Sequence, residues 1–190
     1  MALTGDPHDH SHLQRELAEL TAETRQSEHA DERRASDTHR MMELETSTLL
    51  GVLLDLAEQR SEVRLTLIGD RSIVGEVQSL GSDVVQLRLR SAQLTLIQIC
   101  AVTQVSSVQG FSSGSRTLDH DAPTFSELCV DLAPSRPMVS VWTFGASEPL
   151  RRRLIGASGE VLTLLNTDVG ALRENSWLPL NYVAEVLVSG

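Results

Sequence analysis

The segment "PHDHSH" sets His8, His10 and His12 at alternating positions, with Asp6 and Asp9 beside them. Imidazole and carboxylate groups are donors for Zn²⁺ or Ni²⁺. A structural site also needs a fixed fourth ligand and partners that orient each imidazole. This stretch is polar and terminal, where chains are poorly tied down, so a solvated tail without metal or other cofactor is expected. The segment "LRRRL", 150–154, is the one run of three basic residues, which makes Arg151, Arg152 and Arg153 the candidate nucleic-acid contacts. On a strand, Arg151 and Arg153 share one face and Arg152 takes the other. Three guanidinium groups can grip phosphate, but nucleic-acid binders carry a basic stripe along a whole face. Glu148 and Glu160 lie close by, and few phosphate contacts give weak, salt-sensitive binding. A solvated outer face is the expectation. Cys100 and Cys129 have no His or basic cluster beside them to activate a thiolate. Each reads as a small, semi-buried packing residue. The chain also lacks a P-loop, GxGxxG, HExxH, CxxC and GxSxG, and we expect no enzyme.

The bulk numbers agree with a binding or structural role. The 190 residues carry a formal net charge of -10, with 41% hydrophobic and only 3% aromatic residues. That is room for one ordinary domain or two very small ones, with cores of Leu, Val and Ile. The acidity is uneven: residues 1–60 hold 13 acids against six Arg, and the rest of the chain is nearly neutral outside the segment before Thr124. Residues 13–35 favour a helix with a short stripe of Leu13, Leu17 and Leu20, too short for a coiled coil. The N-terminus has neither a basic nor an apolar signal region, no run approaches a bilayer span, and two cysteines make no disulfide framework. A cytoplasmic protein is expected, with no membrane partner.

One pattern is written twice. Leu49, Val52, Leu53 and Leu56 follow an i, i+3, i+4, i+7 rhythm, one face of a helix. Seventy-six residues on, Phe125, Leu128, Cys129 and Leu132 repeat it. Thr124 and Glu127 form a capping-box signature ahead of the second helix, and Pro134 stops it. Next, "VRLTLIG" (63–69) answers "VSVWTFG" (139–145), with Gly69 on Gly145. Beyond the glycine the offset becomes 77, and "LIQICAVTQV" (96–105) meets "WLPLNYVAEV" (177–186) at 81. The added residues fall near 147–149 and within 166–175, in turns, where insertions are tolerated. Alternation places strands near 63–68, 72–79, 84–90, 93–99 and 102–106, then near 138–144, 150–156, 160–166, 176–180 and 183–188. A repeated order of this kind is the mark of a duplicated unit.

Helix followed by five short strands, with Val63 or Leu65, Gly69, Gly75 and Val77 in the form "V-x-L-x-x-G-x-x-x-x-G-x-V", resembles the Sm-like fold. With an acidic helical segment ahead of two such units, the chain is similar to tandem Sm-like proteins of actinobacteria, some of them labelled transcriptional regulators. The resemblance covers roughly residues 40–190. It implies two SH3-like barrels that meet edge to edge through their fourth and fifth strands. Here that pairs 93–99 with 183–188, or links chains together. The RNA pocket of Sm proteins does not carry over. Asp83 stands in "LGSDVVQL" without the Asn that should follow, the second copy has Gly159 and Glu160 there, and neither copy has the Arg–Gly pair.

The expected fold is therefore mainly β with helices: two tandem five-stranded Sm/SH3-like barrels, each preceded by a helix, plus a mobile acidic N-terminal arm. The boundaries are an arm at 1–40, a first unit at 41–108, a linker at 109–123 and a second unit at 124–190. The expected function is a non-enzymatic interaction or scaffold module. Its partner is a protein or a second copy held by strand edges, and an RNA- or DNA-binding regulator is the alternative.

Overall fold

The computed structural model of the chain describes residues 48–107, 114, 116–119, 121–167 and 174–189. The histidine segment, the helix expected at 13–35 and the rest of the acidic arm lie outside them. The described residues all belong to one compact unit, Thr46–Gly190. The described residues are mainly β, with ten antiparallel strands and two α-helices.

Helix α1 (Leu49–Glu58) starts where the Thr48 hydroxyl accepts from the Gly51 N–H at 3.0 Å. Helix α2 (Phe125–Leu132) has a full capping box: the Thr124 side chain accepts from the Glu127 N–H, and the Glu127 carboxylate accepts from the Thr124 N–H at 2.7 Å. Those hydrogen bonds from Thr124 hold the Glu127 carboxyl below its usual range. Pro134 lies in a 3-10 turn, Ala133–Ser135, that ends the helix.

After α1 come β1 (Glu62–Leu67), β2 (Ser72–Leu80), β3 (Val84–Leu89), β4 (Leu94–Gln98) and β5 (Val102–Ser107). After α2 come β6 (Met138–Thr143), β7 (Leu150–Ala157), β8 (Val161–Leu165), β9 (Asn175–Pro179) and β10 (Val183–Ser189). All ten lie where period-2 alternation places them, to within a residue or so. They form one open sheet in the order β5-β1-β2-β3-β4-β10-β6-β7-β8-β9. Neither half closes on itself by strand pairing among the described residues. The halves are joined by β4 and β10, with Leu96 opposite Val186 and Ile97 opposite Glu185.

Backbone details recur at the offsets the sequence displays. Arg60 and Arg136 both have positive φ, +49° and +48°, after the helices; Gly69 and Gly145 follow at +89° and +79°. The Ile68 N–H donates to the Ala101 carbonyl at 2.8 Å, and the Phe144 N–H to that of Tyr182 at 2.9 Å. Ile99 N–H reaches the Asp83 carbonyl at 2.8 Å, and Leu180 N–H that of Glu160 at 2.7 Å. Register shifts fall between Val77 and Ser79 and between Leu154 and Gly156.

Two cores lie on this sheet. One gathers Leu53, Leu56, Val63, Leu65, Val77, Val85, Leu87 and Ile97. The other gathers Phe125, Cys129, Val139, Leu154, Leu162 and Val186, and takes in Val84 and Leu96 from β3 and β4. Successive strand residues face opposite sides, so Val84–Val85 and Leu96–Ile97 each serve both cores. Val102 and Val105, on the edge strand β5, are only half-buried, as is Ile99 in the turn before it. The described part of the linker packs on the first half at Gly114 and at Pro123. A Cβ at Gly51 would lie 2.0 Å from the Gly114 carbonyl oxygen, and one at Gly81 1.9 Å from that of Pro123. Gly114 is buried, and Arg116 pairs with Asp55 at 3.3 Å and with Glu58. No helix among the described residues is long and apolar enough to cross a membrane.

Candidate functional site

The most elaborate polar constellation lies where the halves meet. Strand β10 is central, flanked by β4 and β6, and its first four residues, 183–186, are buried on both faces of the sheet. One of them is Glu185, fully buried and the one charged residue of the strand. A buried carboxylate needs a cation and hydrogen bonds, and the first half supplies both. Arg71, in the β1–β2 turn, donates through both terminal nitrogens to the two Glu185 oxygens, one bond measuring 3.2 Å. The hydroxyl of Thr95 on β4, itself buried, donates to Glu185 Oε1 at 2.8 Å. The Arg71 guanidinium lies 3.4 Å from the centroid of the Trp142 ring on β6, a cation–π stack. Burial pushes the Glu185 carboxyl above the usual carboxylate range, against the charge of Arg71 and the hydrogen bonds of Arg71 and Thr95. Arg71 and Trp142 also line a cleft of about 260 Å³ between the turns holding Gly69 and Gly145.

Sequence reasoning missed this group. The available signal was a lone acid in the apolar run "YVAEVLV". Nothing local identifies its partner, because Arg71 stands 114 residues away.

The outer edges differ. Strand β5 pairs only with β1, and β9 only with β8, among the described residues. Edge strands are usually guarded by charge. Neither "VTQVSS" nor "NSWLP" holds a charged residue, and Trp177 on β9 is 68% exposed.

Arg151, Arg152 and Arg153 lie on β7, beside β6. Arg151 and Arg153 are exposed and Arg152 is half-buried, the alternation expected. Arg153 donates to the Arg136 carbonyl at 3.2 Å. No carboxylate pairs with Arg136, Arg151 or Arg153 among the described residues. Asp83, which the resemblance sets at a base-reading position, accepts through its carboxylate from the Phe125 N–H at 2.6 Å, at the start of α2. Cys129 is buried, and burial lifts its thiol to about 12, so it is inert at neutral pH. Cys100 departs from the expected semi-buried position. It is exposed in the 3-10 turn Ile99–Ala101, 3.3 Å from Gln98 Oε1. No cluster of metal-ligating side chains occurs among the described residues. Comparison with protein-family profiles, curated proteins and solved structures found no match to the chain.

Proposed function

We propose that this chain is a non-enzymatic, cytoplasmic interaction module built from a duplicated Sm-like barrel, and that its edge strands β5 and β9 are the working surface. The observation that carries the reading is the pairing of β4 with β10, one half presenting its fourth strand to the other half's fifth. The paired details of caps, positive φ values, turn hydrogen bonds and register shifts support a common origin of the halves. Carrying the β4–β10 register to the outer edges through the offset of 81 sets Leu178 opposite Gln104, Trp177 opposite Val105 and Ser176 opposite Ser106. A second copy then adds head to tail, covering Trp177.

Two single-edge variants test this. Gln104→Lys sets a charge on β5 and Trp177→Lys one on β9, each at an exposed position. In sedimentation the unaltered chain should self-associate and each variant alone should run as a monomer. An equal mixture should give a 1:1 dimer, because one variant keeps β9 and the other keeps β5. Association by either variant alone, or none by the unaltered chain, removes the reading.

The alternative, an RNA- or DNA-binding regulator, is favoured by Arg136, Arg151 and Arg153, which have no carboxylate partner among the described residues. We expect no complex with single-stranded RNA or DNA near physiological salt, since the chain is acidic and the Asp83 carboxylate is occupied by α2. Sequence-dependent binding whose salt slope drops by about two in Arg151→Ala/Arg153→Ala would support the alternative instead.

A further inference from the structure

The chain owns two strands of like pattern that compete for the edge of β4: β10, which takes it, and β5, which does not. We propose that the Arg71–Glu185 pair makes this choice, admitting the second half to β4 and excluding a first half, so that unlike halves alternate in any assembly. The inference rests on the edge-pairing reading above. The first half presents Arg71 and Thr95 to the incoming strand, and the second half brings Glu185 and Trp142.

At the offsets of 81 and 76, a β5 strand from another copy brings Gln104 and Thr66 instead. Arg71 would then lose both its carboxylate and its aromatic face. The reverse error, β10 on a β9 edge, is worse. The turn after Gly145 carries Ser147 and Glu148 where the first half has Arg71, so Glu185 would be buried with no cation. Removing one partner of a buried pair is strongly unfavourable, whereas the intact pair adds little over an apolar contact. Such a pair therefore acts on specificity, as polar groups set register in other buried interfaces. The outer junction, with Gln104 and Ser176, carries no such requirement.

The test uses the full chain with β9 blocked by Trp177→Lys, which is monomeric whether or not the outer junction exists, since β4 is already filled. Adding Arg71→Ser and Glu185→Gln puts neutral groups at the inner junction. Strand β5 of another copy then competes with β10, which is held at an effective concentration on the order of millimolar by its tether. The associated fraction should rise several-fold as protein approaches that concentration, and Gln104→Lys should abolish it. Should the triple variant fail to fold, Trp177→Lys/Gln104→Glu serves: the change is at an exposed residue and gives β5 the carboxylate that Arg71 recognises. It should associate where Trp177→Lys/Gln104→Lys does not. Folded Trp177→Lys/Arg71→Ser/Glu185→Gln and Trp177→Lys/Gln104→Glu chains that both stay monomeric near 1 mM, at the tether's effective concentration, would overturn the inference and leave Arg71–Glu185 as a brace. That outcome is separate from a failure of the unaltered chain to self-associate.

Discussion

Arg71→Ala should lower the unfolding free energy by about 3–5 kcal/mol, the usual consequence of leaving a buried charge without its partner. Glu185 is completely enclosed, and among the described residues Arg71 is the one cation that reaches it. Thr95 alone offers a single hydrogen bond. The loss should depend on pH with a definite sign. Burial already sets the folded pKa of Glu185 above the ordinary value, and removing Arg71 raises it further. The folded state then binds the proton more tightly than the unfolded state. Stability is highest below the unfolded value and falls as pH rises through the folded one. The penalty in Arg71→Ala should therefore be full near pH 8 and shrink toward pH 4. Arg71→Ala/Glu185→Gln should recover part of it at pH 8. Urea denaturation across that range decides; a loss under about 1 kcal/mol, or one indifferent to pH, would mean that Glu185 is effectively hydrated. The Arg90–Glu62 pair is the internal control. It has similar bidentate geometry on a solvated face, and exposed pairs contribute little.

The local part of this fold was legible because it is written in local signals. Alternation marks each strand, Thr124 and Glu127 mark the start of α2, and Gly69 and Gly145 mark equivalent turns. The joining of the halves was legible only as an implication of the resemblance. Its chemistry was not legible, because long-range pairing leaves no periodic trace. Val84 and Leu96 show the difficulty. As members of "DVVQL" and "TLIQI" they read as one buried strand face with unremarkable neighbours. That both faces are covered, one by each core, depends on β10 and α2 arriving from elsewhere. The glycines packed against the linker behave alike. Gly51 reads as a weak spot in a helix, yet it is where the Gly114 backbone crosses, leaving no room for a Cβ. Asp83 resembles a base-reading residue by position, and only the structure reveals the helix N-terminus it serves.

The two helices carry the same pattern but should respond differently to truncation. Phe125→Ala should cost about 3–5 kcal/mol, the range for removing a buried aromatic ring. Leu49→Ala, at the equivalent position of α1, should cost less than about 1 kcal/mol, as surface changes do. Phe125 is 1% exposed and Leu49 is 36% exposed. The asymmetry has a structural cause. Strands β3 and β4 send Val84 and Leu96 toward α2, whose first turn is also held to Asp83, so Phe125 closes a core drawn from both halves. Helix α1 lies over β2, and among the described residues no further strand follows β5 to supply a second wall. Loss of the Phe125 ring should therefore weaken the first half as well as the second. In a Trp177→Phe background the fluorescence of Trp142 reports the junction, and hydrogen exchange at β1 and β2 reports the first core. Both should shift together in Phe125→Ala. Equal losses for Phe125→Ala and Leu49→Ala, or a first core whose exchange is unchanged by Phe125→Ala, would show that the halves are packed independently and that α2 belongs to its own half alone.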